Sequence, residues 1–186
     1  MPYGTAMRWQ LLFDDLEAQL ARQDAAELES EVAERTRAER ATVDLADRLL
    51  VHGSAPLRLG LGGARVTGVV LDVAPQWLVL NDGRADVLVP TAAVTSVAGL
   101  GRAAAPPPGQ VLRRLGLGNA LRALSRDRAP VVVGTVDGNF TGTIDRVLAD
   151  HLDLAEHPVD EVRRSGAVRS VVSLPFAALR TVASRP

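Results

Sequence analysis

Two periodicities divide the chain. Residues 5 to 52 contain no Gly or Pro and are dominated by Ala, Leu, Glu and Arg, a composition that predicts one long helix or a helical pair. Trp9, Leu12, Phe13, Leu16 and Leu20 fall within about a third of the helical circumference and make one compact apolar face. Ala25, Leu28, Val32, Val43 and Leu50 lie about a quarter-turn away, which predicts a break near Arg22 to Asp24 or a helix that wraps as it crosses a partner. Residues 27 to 40 are charged nearly all round, as in a solvated coiled-coil-like spacer. Gly53 and Pro56 stop the helix, and the apolar period then changes from 3.6 to 2. Short strands are predicted at residues 57–61, 66–73, 77–80, 87–89 and 94–97, separated by the Gly62-Gly63, Ala74-Pro75-Gln76 and Asn81-Asp82-Gly83 turns.

The strand-forming stretch occurs twice. Residues 56 to 80 (PLRLGLGGARVTGVVLDVAPQWLVL) align without a gap on residues 130 to 154 (PVVVGTVDGNFTGTIDRVLADHLDL), 74 positions later. Pro56/Pro130, Gly60/Gly134, Thr67/Thr141, Gly68/Gly142, Val73/Val147, Leu78/Leu152 and Leu80/Leu154 are identical. Residues 90 to 98 (PTAAVTSVA) return as residues 175 to 183 (PFAALRTVA), so the repeat closes on the same strand and its additional residues fall around 156 to 166. Glycine at 68 and 142 lets a strand bend sharply around a small barrel. Gly, Ala and three consecutive Pro make residues 99 to 109 an extended linker, and residues 110 to 128 are helix-forming but interrupted by Gly116 and Gly118, which predicts two short pieces.

The order is therefore a disordered lead-in at 1–6, a helical arm at 7–52, a strand unit at 53–98, the linker at 99–109, a basic helical segment at 110–128 and a second strand unit at 129–184. Aromatic residues make up 3% of the chain, so burial rests on Val, Leu and Ala, and an isolated half is expected to be marginal.

Net charge is −1 and all 21 basic residues are Arg, which excludes a generally basic nucleic-acid coat. The charge is unevenly placed. Arg102, Arg113, Arg114, Arg122, Arg126 and Arg128 stand against Asp127 alone, whereas residues 8 to 50 carry six Arg and eleven acidic side chains. Arg113, Arg114, Arg122, Arg126 and Arg128 are candidate nucleic-acid contacts, but neutralisation by the acidic helix of the same or a second chain is the favoured reading, because non-specific binding needs several unneutralised cations. The absence of Cys removes disulfides and thiolate metal sites, and no apolar run approaches the roughly 18 residues of a membrane span. A cytoplasmic protein is expected.

Enzymatic chemistry finds little to stand on. His52, His151 and His157 share no metal-ligand spacing. Gly60-Leu-Gly62-Gly63 sits at a hairpin instead of opening a helix, so it does not read as a phosphate loop. Asp14-Asp15 and Asp150/Asp153 are the nearest approach to paired carboxylates, and both pairs read as solvated surface. No catalytic residue, cofactor, metal, membrane or small-molecule substrate is expected.

A helix followed by five bent strands, with Val131-Val-Val-Gly-Thr-Val-Asp-Gly138, Phe140-Thr-Gly142 and the closing strands Ala93-Val-Thr-Ser-Val97 and Ala178-Leu-Arg-Thr-Val182, resembles the Sm/LSm barrels and their bacterial member Hfq. The resemblance implies an α+β protein with a long N-terminal helical arm and two Sm-like five-stranded antiparallel barrels, the second preceded by a short broken helix. The uridine site of that family is not implied, since Gln76 and Asp150 occupy the turn position of its aromatic residue, and Thr91-Ala92 and Phe176-Ala177 stand where it has a Lys-His pair. Residues 7 to 19 (MRWQLLFDDLEAQ) also resemble an uncharacterised family of Arg-rich actinobacterial proteins, some labelled Fis-type transcriptional regulators. No helix-turn-helix with a basic recognition helix accompanies that likeness.

A non-enzymatic interaction or scaffold protein that assembles through its helical arm and the exposed strand edges of its small barrels is the function expected first, with Trp9, Phe13, Leu16 and Leu20 as candidate partner interface for a protein partner or a second copy. A nucleic-acid-binding regulator using residues 102 to 128 is the alternative.

Overall fold

The period-2 alternation that begins after the 53–56 break resolves into strands, and the 3.6-period segment before it into helices. The computed structural model describes residues 5–105, 116–158 and 170–184, apart from the side chains of residues 5–16 and a few more in the first helix. Its elements in chain order are α1 (Thr5–Ala41), α2 (Leu45–Leu50), β1 (Leu57–Gly60), β2 (Arg65–Ala74), β3 (Trp77–Asn81), β4 (Asp86–Pro90), β5 (Ser96–Ala98), α3 (Leu117–Arg126), β6 (Pro130–Thr135), β7 (Asn139–Val147), β8 (His151–Glu156), β9 (Ser170–Pro175) and β10 (Leu179–Ser184). Single 3-10 turns at Thr91–Ala93 and Phe176–Ala178 precede the closing strand of each repeat.

All ten strands join one antiparallel sheet in the order β5-β1-β2-β3-β4-β10-β6-β7-β8-β9. The two halves of that order are the same motif, because β10 stands to β6 as β5 stands to β1. Register repeats as well as order. Leu57 pairs with Gly68 and Val131 with Gly142, and both second strands carry a bulge at one place, between Val70 and Asp72 and between Ile144 and Arg146. The additional residues of the second copy fall between β8 and β9.

This architecture corrects the expected pair of closed five-stranded barrels. Neither β4 nor β9 returns to pair with the closing strand of its own repeat. The edge of β4 is instead taken by β10, through Val182↔Leu88, Ala183↔Val87 and Ser184↔Asp86, while β5 stays on the outer side of β1. Edge pairing across the repeats satisfies the backbone groups of β4 that closure would have satisfied, and it leaves the sheet open at β5 and β9.

The cores follow the same sharing. One gathers Leu117 and Leu121 of α3 with Val131, Val133, Ile144, Leu152, Leu154, Leu174, Leu179 and Val182, and it takes in Ala74, Trp77 and Leu88 from the first repeat. The other joins Ala46 and Leu49 of α2 to Leu57, Leu59, Leu61, Leu78, Leu80 and Val89, with Ala183 of the second repeat against it. Each repeat thus covers its sheet with one short helix and lends side chains to its neighbour's core.

The helical expectation is also corrected. A single long arm over residues 7 to 52 does not form, and the alternative of a helical pair does, because the chain leaves the helix after Ala41 and re-enters it as α2, whose Ala46 and Leu49 are buried under the sheet. Asp47 accepts from the Asp44 backbone N–H at 3.0 Å and so caps the start of α2. Of the two readings of the shifted apolar stripe, the break near Arg22 to Asp24 is absent, since α1 runs through those residues. Nor is there a coiled coil among the described residues. Leu20, Leu28 and Val32 are all exposed, where a coiled-coil seam would bury them between helices. Residues Met1–Val43 form one unit and Asp44–Pro186 another.

The linker begins attached to α2. Arg48 donates from Nε and Nη2 to the Gly101 carbonyl at 3.2 and 2.6 Å, and Ala105 N–H donates to the Asp47 carbonyl at 2.8 Å. Of the two helical pieces expected between 110 and 128, the second is α3 as one continuous helix, and residues 110 to 115 lie outside the described residues. Gly116 starts α3 without a side chain of its own, and Gln76 in the β2–β3 turn supplies the missing acceptor, its Oε1 taking the Leu117 N–H at 3.0 Å.

Candidate interaction surfaces

The two ends of the sheet are the principal unsatisfied features of the fold. Among the described residues no strand pairs with the outer side of β5 or of β9. Neither edge strand carries a charged residue, reading Ser-Val-Ala at 96–98 and Ser-Val-Val-Ser-Leu-Pro at 170–175. Val171 is 57% exposed. Such edges are normally blunted by shortness, Pro, Lys, an inward-pointing charge or a covering segment; here β5 is only three residues long and β9 ends in Pro175, and neither edge uses charge.

The candidate partner face of α1 is described only at Leu20, which is exposed on a helix where Glu17, Gln19 and Arg22 are exposed too. The side chains of Trp9, Phe13 and Leu16 lie outside the described residues. Of the candidate nucleic-acid contacts, Arg113 and Arg114 also lie outside them. Arg122, Arg126 and Arg128 are exposed, the first two one turn apart on α3, away from the buried Leu117 and Leu121. Arg122 donates to Asn119 Oδ1 at 3.0 Å. Arg128 follows the helix end with φ 49°, in the left-handed region that ends helices.

The remaining polar groups hold the fold. His157 is buried between Thr143, 2.8 Å from Nε2, and the Pro158 carbonyl, 2.8 Å from Nδ1. A carbonyl can only accept, so Nδ1 carries the proton and donates to Pro158, and Nε2 accepts from the Thr143 hydroxyl. Asp153 is buried on β8, accepting from Ser173 Oγ on β9 at 2.7 Å and facing Arg146 Nη2 on β7 at 3.3 Å, a ladder across three strands. Asp150 is exposed, and its hydrogen bond to His151 Nδ1 at 2.6 Å holds its carboxyl below the ordinary carboxylate range. The expected solvated surface therefore holds for Asp150 and not for Asp153, which its cross-strand partners bury, and the two carboxylates do not converge. His52 faces the Ala55 carbonyl at 3.0 Å, far in function from a ligand cluster, and no group of metal-ligating side chains forms among the described residues.

Two shallow clefts flank the first repeat. One, of about 360 Å³, lies between α2 and the linker beside Arg48, His52 and Gly101. The other, of about 500 Å³, surrounds the β1–β2 turn with Gly62, Arg65, Thr95 and Ser96. Arg180 reaches the same turn, and its Nε is buried without a partner.

Sequence reading missed the edge strands as a pair. The signal was present in the absence of charge from both segments, but only pairing order reveals that they are the two ends of one sheet. No protein-family model matches the chain, and no significant match to it exists among curated proteins. The Sm-like and Fis-type resemblances rest on the residues quoted for them. No helix among the described residues is long and apolar enough to cross a membrane.

Proposed function

We propose that this is a non-enzymatic, cytoplasmic interaction protein that assembles with protein partners through the open edges of its sheet and the apolar face of α1. The observation that carries the reading is the pair of uncharged edge strands β5 and β9, on whose outer sides no strand pairs among the described residues, so that they present backbone donors and acceptors to any extended segment of another chain. Leu20 continues the Trp9, Phe13 and Leu16 face on α1, and its exposure is consistent with a second contact surface there. Binding of nucleic acid is the second reading, supported by the exposed Arg122, Arg126 and Arg128.

Affinity purification of the full chain from its native cell, with and without nuclease, separates the two. The interaction reading expects a protein to remain bound after nuclease treatment and binding to change little between low and high salt. Loss of the co-purifying material with nuclease, together with affinity that falls steeply with salt, would establish the nucleic-acid reading instead. Deleting residues 1 to 24 tests the helix separately: a bound partner retained in full by the deleted chain removes α1 from the interface.

A further inference from the structure

We infer that the β1–β2 turn, with Arg65 beside it and Arg180 across from it, is a binding site for the oxyanion of a small phosphorylated or carboxylated molecule.

The cleft at this turn exists because glycine leaves it open. Gly60 on β1 is flanked on one face of the sheet by Arg65 of β2 and Ser96 of β5, and a Cβ there would run into Ser96 Oγ. Gly62 and Gly63 follow with φ of 67° and 103°, a conformation that side chains resist. Together with Thr95 these residues line a cleft of about 500 Å³, within the roughly 300–1,000 Å³ of small-molecule sites. No acidic side chain is among its described lining residues.

Arg180 reaches the turn from the other repeat. The pairing of β10 with β6 shifts register between Leu179 and Thr181, and such a bulge re-aims the side chain within it. A Cβ built on Gly62 would stand 3.7 Å from Arg180 Nε and 3.8 Å from Nη2. The edge of the guanidinium that grips two oxygens of one carboxylate or phosphate therefore lies at a bare α-carbon. Nη1 is turned to the Leu179 carbonyl at 3.5 Å, while Nε is buried with no hydrogen-bond partner. Neither Arg180 nor Arg65 is in an ion pair among the described residues. Buried donors in folded proteins find an acceptor, and an oxyanion seated over Gly62 supplies one.

The second repeat serves as an internal control. Val136, Asp137 and Asn139 stand where the first has Gly62, Gly63 and Arg65, and Thr95 stands where the second has Arg180. That turn satisfies itself: Thr135 Oγ1 donates to the Gly138 carbonyl at 3.0 Å and accepts from the Asp137 N–H at 3.2 Å. A hairpin at this place folds without arginine, so the two cations at the first turn answer no requirement of the fold. Two cations facing one cleft match a single charged group, whereas a polynucleotide calls for a track of them.

Titration of the isotope-labelled full chain with inorganic phosphate at constant ionic strength should give saturable NMR shifts of the Gly62 and Gly63 amides and of the Arg180 Nε–H. Arg180→Lys keeps the charge and loses the two-pronged edge, and Arg65→Gln removes a charge at an exposed position. Each should weaken binding by about tenfold or more while the circular dichroism stays that of the wild type, and Arg122→Gln on α3 should change nothing. Should Arg180→Lys fail to fold, the wild-type titration and Arg65→Gln still decide. Saturation by succinate instead of phosphate assigns the same site to a carboxylate ligand. Shifts that rise without saturating, or that are as large around Arg122 and Arg126, overturn the site. Tighter binding of a single-stranded oligonucleotide at the same amides overturns the assignment to a small molecule.

Discussion

At Gly68 and Gly142 the repeat tolerates no side chain. A Cβ at Gly68 would run into the Asn81 carbonyl oxygen on β3, and one at Gly142 into the Ala155 carbonyl oxygen on β8. Both obstacles are backbone, which cannot swing aside as a side-chain end can. Gly68→Val and Gly142→Val should each lower stability by about 1–3 kcal/mol, read as a fall in thermal midpoint. Unchanged midpoints would remove the close approach from the account. The reason was legible in the sequence as glycine at matching positions, but the bend expected there turns out to be a contact between neighbouring strands. A second residue, Asp82, closes the β3–β4 turn by accepting from the Ala85 and Arg84 N–H groups at 2.9 and 2.8 Å. Those backbone hydrogen bonds, Ala85 first, hold its carboxyl below the ordinary value of 3.8. A depressed folded-state value means that the contribution is complete above the unfolded value and is lost as pH falls through the lower folded one. Asp82→Asn should therefore narrow the difference in stability between neutral and strongly acidic solution, and NMR titration of Asp82 should give a midpoint below 3.8. A midpoint at or above the ordinary value would mean that the turn does not hold the carboxylate.

Among the elements, α3 shows how the first repeat builds the second. Its N-terminus is capped from the β2–β3 turn by Gln76, a residue whose sequence position suggested only a turn. Gln76→Ala should cost about 0.5–2 kcal/mol, and protection of the Leu117 amide against hydrogen exchange should fall with it. Retained protection would place the acceptor elsewhere. Helix boundaries show the limits of composition in the same way. Residues 5 to 52 look uniformly helical, yet Thr42 to Asp44 interrupt the helix because Ala46 and Leu49 must turn toward the sheet to be buried. Charge balance between residues 8–50 and 102–128 was the sequence's best clue to a pairing of segments. The attachment found between α2 and the linker uses the Arg48 guanidinium on a carbonyl, not on a carboxylate.

Taken as a whole molecule, unit Asp44–Pro186 holds both cores, and no described core residue precedes Leu45. Removing residues 1 to 43 should take away the helical circular dichroism of α1 and leave the thermal midpoint of the remaining chain unchanged; loss of that cooperative transition in the truncated chain would make α1 part of the core. What the sequence by itself determined is the set of parts: two copies of a five-strand unit, their order, their turns, the loop that lengthens the second, and the helix-forming segments between them. These are local, because side-chain alternation, turn residues and glycine positions act over a few neighbours. Closure was not local. Whether β4 meets its own repeat or the other depends on which free edge lies nearest once both units have folded, and edge hydrogen bonds are equally available to either. Val182 settles it by packing against Leu88 while α3 and Trp77 bury the same junction. Two repeats that could each have curled into a barrel share one open sheet, and the same physics leaves β5 and β9 with the pairing they lack.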